Sequence, residues 1–157
     1  MKRQKKKFVP NRSSTPTHDL PEVFRKKIET LGGTKVNLVI EKTLYKSDLV
    51  QGENRLSMPF KQIRSKFLED DEVRRLANYE TLTVPLIDTM LQEREICLSR
   101  WSLHTSKWYV LKTQWYKKIV LNNGLRKGDL IQVWSFRDKV NNLHLALVLV
   151  ERKGEDI

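Results

Sequence analysis

Arg100, Ser102, His104, Thr105, Ser106 and Lys107 fall within the run RWSLHTSKWYV, residues 100–110. The flanks EICLSRW and WYVLK are rich in apolar and β-favouring residues and predict strands. The polar set therefore tips a pair of strands, with no glycine between them to make a minimal hairpin turn. A second polar connection, LYKSDLVQGENRLSMP at residues 44–59, carries Lys46, Ser47, Asp48, Asn54 and Arg55. Such side chains suit recognition of a polyanion. Arginine matches a guanine edge bidentately and asparagine an adenine edge, while lysine and serine suit phosphate oxygens. Asp48 is expected instead to hold its own turn by accepting backbone hydrogen bonds. Either connection alone is ordinary polar surface. Two of them on one barrel would make arms able to enter a major groove together.

Residues that would support catalysis are missing from this pattern. His18, His104 and His144 are scattered over a tail, a connection and a strand, and no pair has metal-ligand spacing. No glycine-rich phosphate loop, GxSxG elbow or HExxH occurs. GLRKGD, residues 124–129, follows a predicted helix and precedes a strand, the reverse of a phosphate loop, so it reads as a tight turn with Gly128 in a conformation that a side chain resists. Asp88, Glu93 and Glu95 flank a predicted hairpin, and a metal-dependent nuclease uses carboxylates of this kind. They read more simply as solvent-exposed turn charges. The expectation is a protein with no catalytic residues, no metal, no cofactor and no small-molecule substrate.

The formal charge is +11, and six of the 30 basic residues lie in the acid-free segment 1–18. Within the remainder, the window Ile96–Gly128 contains Arg100, Lys107, Lys112, Lys117, Lys118, Arg126 and Lys127 and not one acid. That distribution points to a polyanionic partner. Cys97 is the sole cysteine, which excludes an internal disulfide and a zinc motif, and its apolar strand context predicts a buried, inert thiol. No signal-peptide core is present, and no apolar run reaches the about 20 residues that cross a bilayer. An intracellular, soluble, reduced protein is expected.

The elements that must position the two connections follow from periodicity. Residues 1–18 read as a disordered basic tail whose KRQKKK cluster suits nuclear import or non-specific nucleic-acid contact. Residues 19–35 predict a helix and linker, with Asp19 as cap, Pro21 in the first turn and Gly32-Gly33 as the stop. Leu20, Phe24, Ile28 and Leu31 form its apolar face, leaving Arg25, Lys26 and Lys27 outside, and the helix is expected to dock on the main domain or to hold a protein partner. Residues 36–152 form the main domain, with strands in VNLVIEKT, RLSM, TLTVPLIDTM, REICLSRW, KWYVLK, LIQVWSFR and LHLALVLVE. A helix is predicted from near Pro59, with Phe60, Ile63 and Phe67 inward and the acidic run Glu69–Glu72 at its end. A second is predicted in TQWYKKIVLNNG, capped by Thr113 and ended by Asn123-Gly124. Trp108 and Trp115 are expected in the core, and Trp101 where its strand leaves it. Residues 153–157 are a short tail. A mainly β barrel or sandwich with helices plugging its openings accommodates these elements.

The order EKTLYKSDL, NRLSMP, LSRW, KWYVLKTQW and NGLRKGDLIQVWSF resembles the plant B3 DNA-binding domain over about Val36 to Arg152. The resemblance is closest to the divergent branch of small proteins in which that domain follows a basic tail and a helix. It implies a seven-stranded open pseudobarrel with two short helices, preceded here by the N-terminal helix. It also implies a nuclear location, transcription regulation, double-stranded DNA as partner, and a wrench-like grip on the major groove without a cofactor. Lys46, Ser47, Asn54 and Arg55 match first-arm contact positions, and Arg100, Trp101, Ser102 and Lys107 fall within the second arm, with His104, Thr105 and Ser106 at its tip. Lys117 is expected on phosphate. Glu53, and an extra residue between Asp48 and Asn54, depart from the better-known members. The alternative reading is a protein-interaction module that kept the fold and binds DNA weakly and without sequence preference.

Overall fold

The apolar runs become seven strands in the computed structural model, which describes residues 18–153. The basic segment 1–17, with its expected import cluster, and residues 154–157 lie outside the described residues. The strands are β1 (Thr34–Thr43), β2 (Arg55–Pro59), β3 (Leu82–Ile87), β4 (Glu93–Leu103), β5 (Ser106–Lys112), β6 (Leu130–Arg137) and β7 (Leu143–Glu151). They form one sheet in the order β1-β6-β7-β3-β4-β5-β2. The pairs are antiparallel except β3 and β7, which run parallel through Leu86↔Leu145 and Ile87↔Ala146. Consecutive strands β1 and β2 are thus the two edges of an open barrel, and residues 44–54 cross its opening. The Arg64 amide then donates to the Val39 carbonyl at 2.7 Å, returning the chain to the β1 edge.

Alternate residues fill the barrel. Leu56, Met58, Val84, Leu98, Leu111, Ile131 and Val133 share a core with Trp115, which is wholly buried. A second core lies outside, where α1 (Glu22–Thr30) sets Phe24 and Ile28, with Leu20 before it, against Trp134, Phe136, Ala146 and Val148. Strand β6 is therefore covered on both faces, which is why LIQVWSFR reads as a run and not as an alternation. The apolar face of α1 is already covered by the barrel. Pro21, expected in the first turn, takes the N-cap position just before it, and Asp19 makes no cap but accepts hydrogen bonds from the Leu20 amide and the Arg25 guanidinium. Lys27, expected outside, is half-buried and pairs with Glu93 at 2.9 Å. Gly33 passes so close to the sheet that a Cβ there would lie 2.7 Å from a Phe136 ring carbon.

The internal helices are partly relocated. Phe60, Ile63 and Phe67 have helical spacing, yet their stretch holds only a 3-10 turn, Phe60–Gln62, and the helix α2 is Asp70–Ala77. The acidic run expected to end a helix begins one. Asp70, Asp71 and Glu72 sit at the positive end of the helix dipole and Arg74 and Arg75 in its last turn. Thr113 is not a cap either. Thr113 and Gln114 adopt φ values of 62° and 68°, and a π-helical turn, Trp115–Val120, leads into α3 (Leu121–Asn123). Gly124 ends it at φ 62°, and Gly128 takes φ 92° in the turn that follows.

Three further expectations change. Asp88 is not a solvent-exposed charge: it is buried and accepts from the Met90 and Gln92 amides and from Arg94 Nε at 2.8 Å, shaping the β3–β4 turn. Cys97 is half-buried, on the outer side of β4. Trp108 is half-buried and belongs to neither core, whereas Tyr109 beside it is buried.

Arg137 joins α2 to β6. Its guanidinium donates to both Glu72 carboxylate oxygens at 2.7 and 2.8 Å and to the Phe67 carbonyl at 2.9 Å. Burial alone would raise the Glu72 carboxyl, but the hydrogen bonds from Arg137 and the Glu69 amide, with the nearby arginine charges, outweigh it and hold the carboxyl below its ordinary value. A carboxyl depressed in the folded state stabilises above its unfolded pKa and loses that contribution as pH falls through the folded value. Glu72→Gln should cost about 2 kcal/mol at neutral pH. The deficit should shrink as pH drops below 4.5, the ordinary glutamate value, in urea unfolding followed across the acid range; a deficit independent of pH would contradict the assignment.

Candidate nucleic-acid interface

The root of the first arm is set by a buried charge pair. Lys42 on β1 directs its ammonium to Asp48 at 3.2 Å and donates to the Ser57 carbonyl of β2 at 2.7 Å. Asp48 caps its own turn, as expected, by accepting the Tyr45 amide at 2.9 Å. Burial pushes the Lys42 ammonium below its ordinary pKa, opposed by the charge and hydrogen bond of Asp48. Trp115 Nε1 donates to the Asp48 carbonyl at 2.7 Å, so the plug of the barrel also holds the arm. Above this root, Lys46 and Ser47 project from a short 3-10 turn, Lys46–Asp48, and are exposed.

Asn54 and Arg55 lie at the end of the arm, and both are engaged within the protein. Asn54 has φ 49°, and its Oδ1 accepts the Tyr116 amide at 2.7 Å, capping the π-helical turn in the place expected for Thr113. Arg55 lays its guanidinium over the Trp101 ring, 5.0 Å from the centroid, and pairs through Nη1 with the Glu53 carboxylate. Its Nε is buried without a hydrogen-bond partner.

The second arm is the β4–β5 hairpin, whose turn is minimal despite the absence of glycine: Leu103 pairs with Ser106, and His104 supplies the left-handed residue at φ 57°. Strand alternation divides its side chains between two faces. Arg100, Ser102 and Lys107 continue the face that bears Tyr109, with Arg100 5.8 Å from the Phe60 ring centroid. Trp101, Ser106 and Trp108 take the opposite face, toward Arg55. His104, Thr105 and Ser106 are exposed at the tip.

A groove of about 510 Å³ lies between the arms, lined by Gln51, Asn54, Arg55, Trp101, Lys112 and Lys117 among others. Of the residues singled out in the sequence, the structure thus brings together Asn54, Arg55, Trp101 and Lys117. Lys46 and Ser47 stand on the arm outside the groove lining, and the tip residues lie at the other end of β5 from Lys112. Lys112 and Gln51 are not among the site residues expected from the sequence. Lys112 belongs to the acid-free window, but only its pairing with Arg55 reveals its position. Nothing local marks Gln51.

An open seven-stranded barrel with one arm across its gap and a hairpin arm beside it defines a B3-type domain. The chain belongs to the family of B3 domain-containing proteins, since the family model described as B3 domain-containing protein At2g31720-like matches residues 14–151. The Arabidopsis thaliana B3 domain-containing protein At2g31720 is 29% identical over 158 residues, covering 95% of this chain and 49% of that protein. B3 domain-containing protein At1g32030 of the same plant is 34% identical over 167 residues, with the same two coverages. The chain therefore spans about half the length of these curated relatives. Among solved structures, the Arabidopsis thaliana transcription factor LEC2–DNA complex aligns with a TM-score of 0.47 and 21% identity over 73% of this chain and 96% of that one.

Because Lys42 and Asp48 are 6% and 2% exposed, removing one partner strands a buried charge. Asp48→Ala should destabilise by about 3–5 kcal/mol in urea unfolding at neutral pH. Burial depresses Lys42 in the folded state, and loss of Asp48 removes the interactions that oppose this, so below the ordinary lysine value of 10.5 the unfolded chain holds more protons than the folded one and the variant should regain stability as pH rises towards that value. A variant as stable as the parent would remove the pair from its proposed role at the arm root.

Proposed function

We propose that this domain is a non-enzymatic reader of double-stranded DNA that acts in the nucleus to regulate transcription. The two arms grip the major groove. Base readout comes from Arg55 and the Nδ2 donor of Asn54 on the first, the Asn54 Oδ1 being held by the Tyr116 amide, and from Arg100, Trp101, Ser102, His104, Thr105, Ser106 and Lys107 of the second. Lys46, Ser47, Lys112 and Lys117 hold phosphates. The observation that carries this reading is the groove itself, where Arg55, Lys112 and Lys117 converge beside an indole face and Glu53 is the one acid in the lining. Membership of the B3 family supports it, because the family resemblance implies the same two-armed grip. The hairpin's two-faced arrangement suits a blade inserted between groove walls, since Trp101 and Ser106 address one wall while Arg100, Ser102 and Lys107 address the other. The interaction-module reading gains no support from α1, whose apolar face the barrel covers.

Selection from a random duplex library, repeated without residues 1–18, tests the reading. Enrichment of a motif that survives truncation is the expected result. Binding without a motif, lost with the tail, would reject it. On the enriched duplex, Arg55→Ala should reduce discrimination against random DNA by about 1–3 kcal/mol. Lys117→Ala should weaken both duplexes equally and lower the salt slope by about 0.9. Competition binding measured at several salt concentrations distinguishes the two.

A further inference from the structure

The structure places the Glu53 carboxylate on the guanidinium that the first arm would offer to a base. Three observations converge on this pair. Arg55 Nη1 is bound by Glu53, the guanidinium carbon lies over the Trp101 ring, and Nε is buried without a partner. The side chain is 22% exposed, against 46% for Glu53. Arg55 is therefore held in a fixed orientation, but with its charge offset and one donor unmet.

We propose that Glu53 is a specificity-determining residue of the first arm that acts by masking Arg55; the inference rests on the DNA-binding reading above. A neutralised arginine attracts phosphates weakly, so random duplex gains little from it. Release of Nη1 from a carboxylate requires an acceptor set of comparable quality. The N7 and O6 of a guanine supply two acceptors to one planar guanidinium, whereas an isolated phosphate contact at this position can be made just as well by the surrounding lysines. Trp101 keeps the plane oriented while the partners exchange. The carboxylate thus subtracts from all binding, and subtracts most where no guanine edge stands opposite Arg55. Asn54 does not share this role, because its Oδ1 is committed to the Tyr116 amide.

The test is competition binding of Glu53→Gln on the full chain, with the duplex enriched by the parent protein and a random duplex of equal length. Glutamine keeps the shape and removes the charge. Affinity for the random duplex should rise about three- to tenfold, with a salt slope steeper by about 0.9, as expected for one more phosphate contact. Affinity for the enriched duplex should rise less, so the ratio between them falls. In an Arg55→Ala background, Glu53→Gln should no longer lower that ratio, because the arginine it masks is gone. A ratio unchanged by Glu53→Gln while the parent protein discriminates would overturn the masking role and leave the DNA reading intact. A ratio that falls equally in the Arg55→Ala background would show that Glu53 acts on DNA directly and would also overturn it. A parent protein without any preference would instead overturn the DNA reading on which the inference stands.

Discussion

The Lys42–Asp48 pair is the constraint on which the architecture turns. An open barrel leaves two strand edges, β1 and β2, with a gap between them. Lys42 reaches from one edge to the Ser57 carbonyl of the other, and Asp48 in the crossing segment neutralises it. A buried ammonium is unfavourable unless paired and fully hydrogen-bonded, so edge, arm and edge are held in one arrangement. Trp115 completes the closure from inside through its bond to the Asp48 carbonyl. The first arm is thus not a loop added to a finished barrel. Its root is the closure of the barrel.

A rigid root with exposed tips is an arrangement suited to recognition. Lys46, Ser47 and the His104–Ser106 tip are exposed, whereas the residues that orient them are buried or bound. Ordering the root in advance would reduce the entropy lost in the proposed engagement of DNA by the arms. The charge distribution has a related logic. Acids concentrate at the start of α2, where they serve the helix and Arg137, while the groove collects cations.

The buried aspartates share one task. Asp48, Asp88 and Asp129 each accept backbone amides at a turn: Tyr45, Met90 with Gln92, and Arg126 with Lys153. In each case the carboxylate stands in for a backbone acceptor where the chain reverses, and a basic side chain lies against it: Lys42, Arg94 or Arg152. Asp88 is among the carboxylates that sequence inspection alone weighs as possible chemistry. The hydrogen bonds of all three aspartates commit them to the fold.

Much of the scaffold was legible because its signals are local. All seven strands follow from apolar and β-branched runs, Gly124 and Gly128 mark their turns through φ values that side chains resist, and the face of α1 follows from its period. The misplaced α2 shows where local pattern fails: Phe60, Ile63 and Phe67 have helical spacing because the barrel mouth needs apolar groups there, while the dipole-matched acids and arginines mark the helix itself. The second arm's minimal turn was hidden because His104 takes the left-handed conformation usually signalled by glycine. Where the two arms lie is readable from polar residues that interrupt the alternating core pattern. What those residues touch is set by folding. Asn54 finds its partner 62 residues away at Tyr116, Arg55 meets Trp101 across the sheet, and alternation sends Arg100 and Trp101 to opposite faces. A side chain's hydrogen-bonding capacity is local chemistry, but the partner that consumes it is set by strand order and register, which no short stretch of sequence encodes.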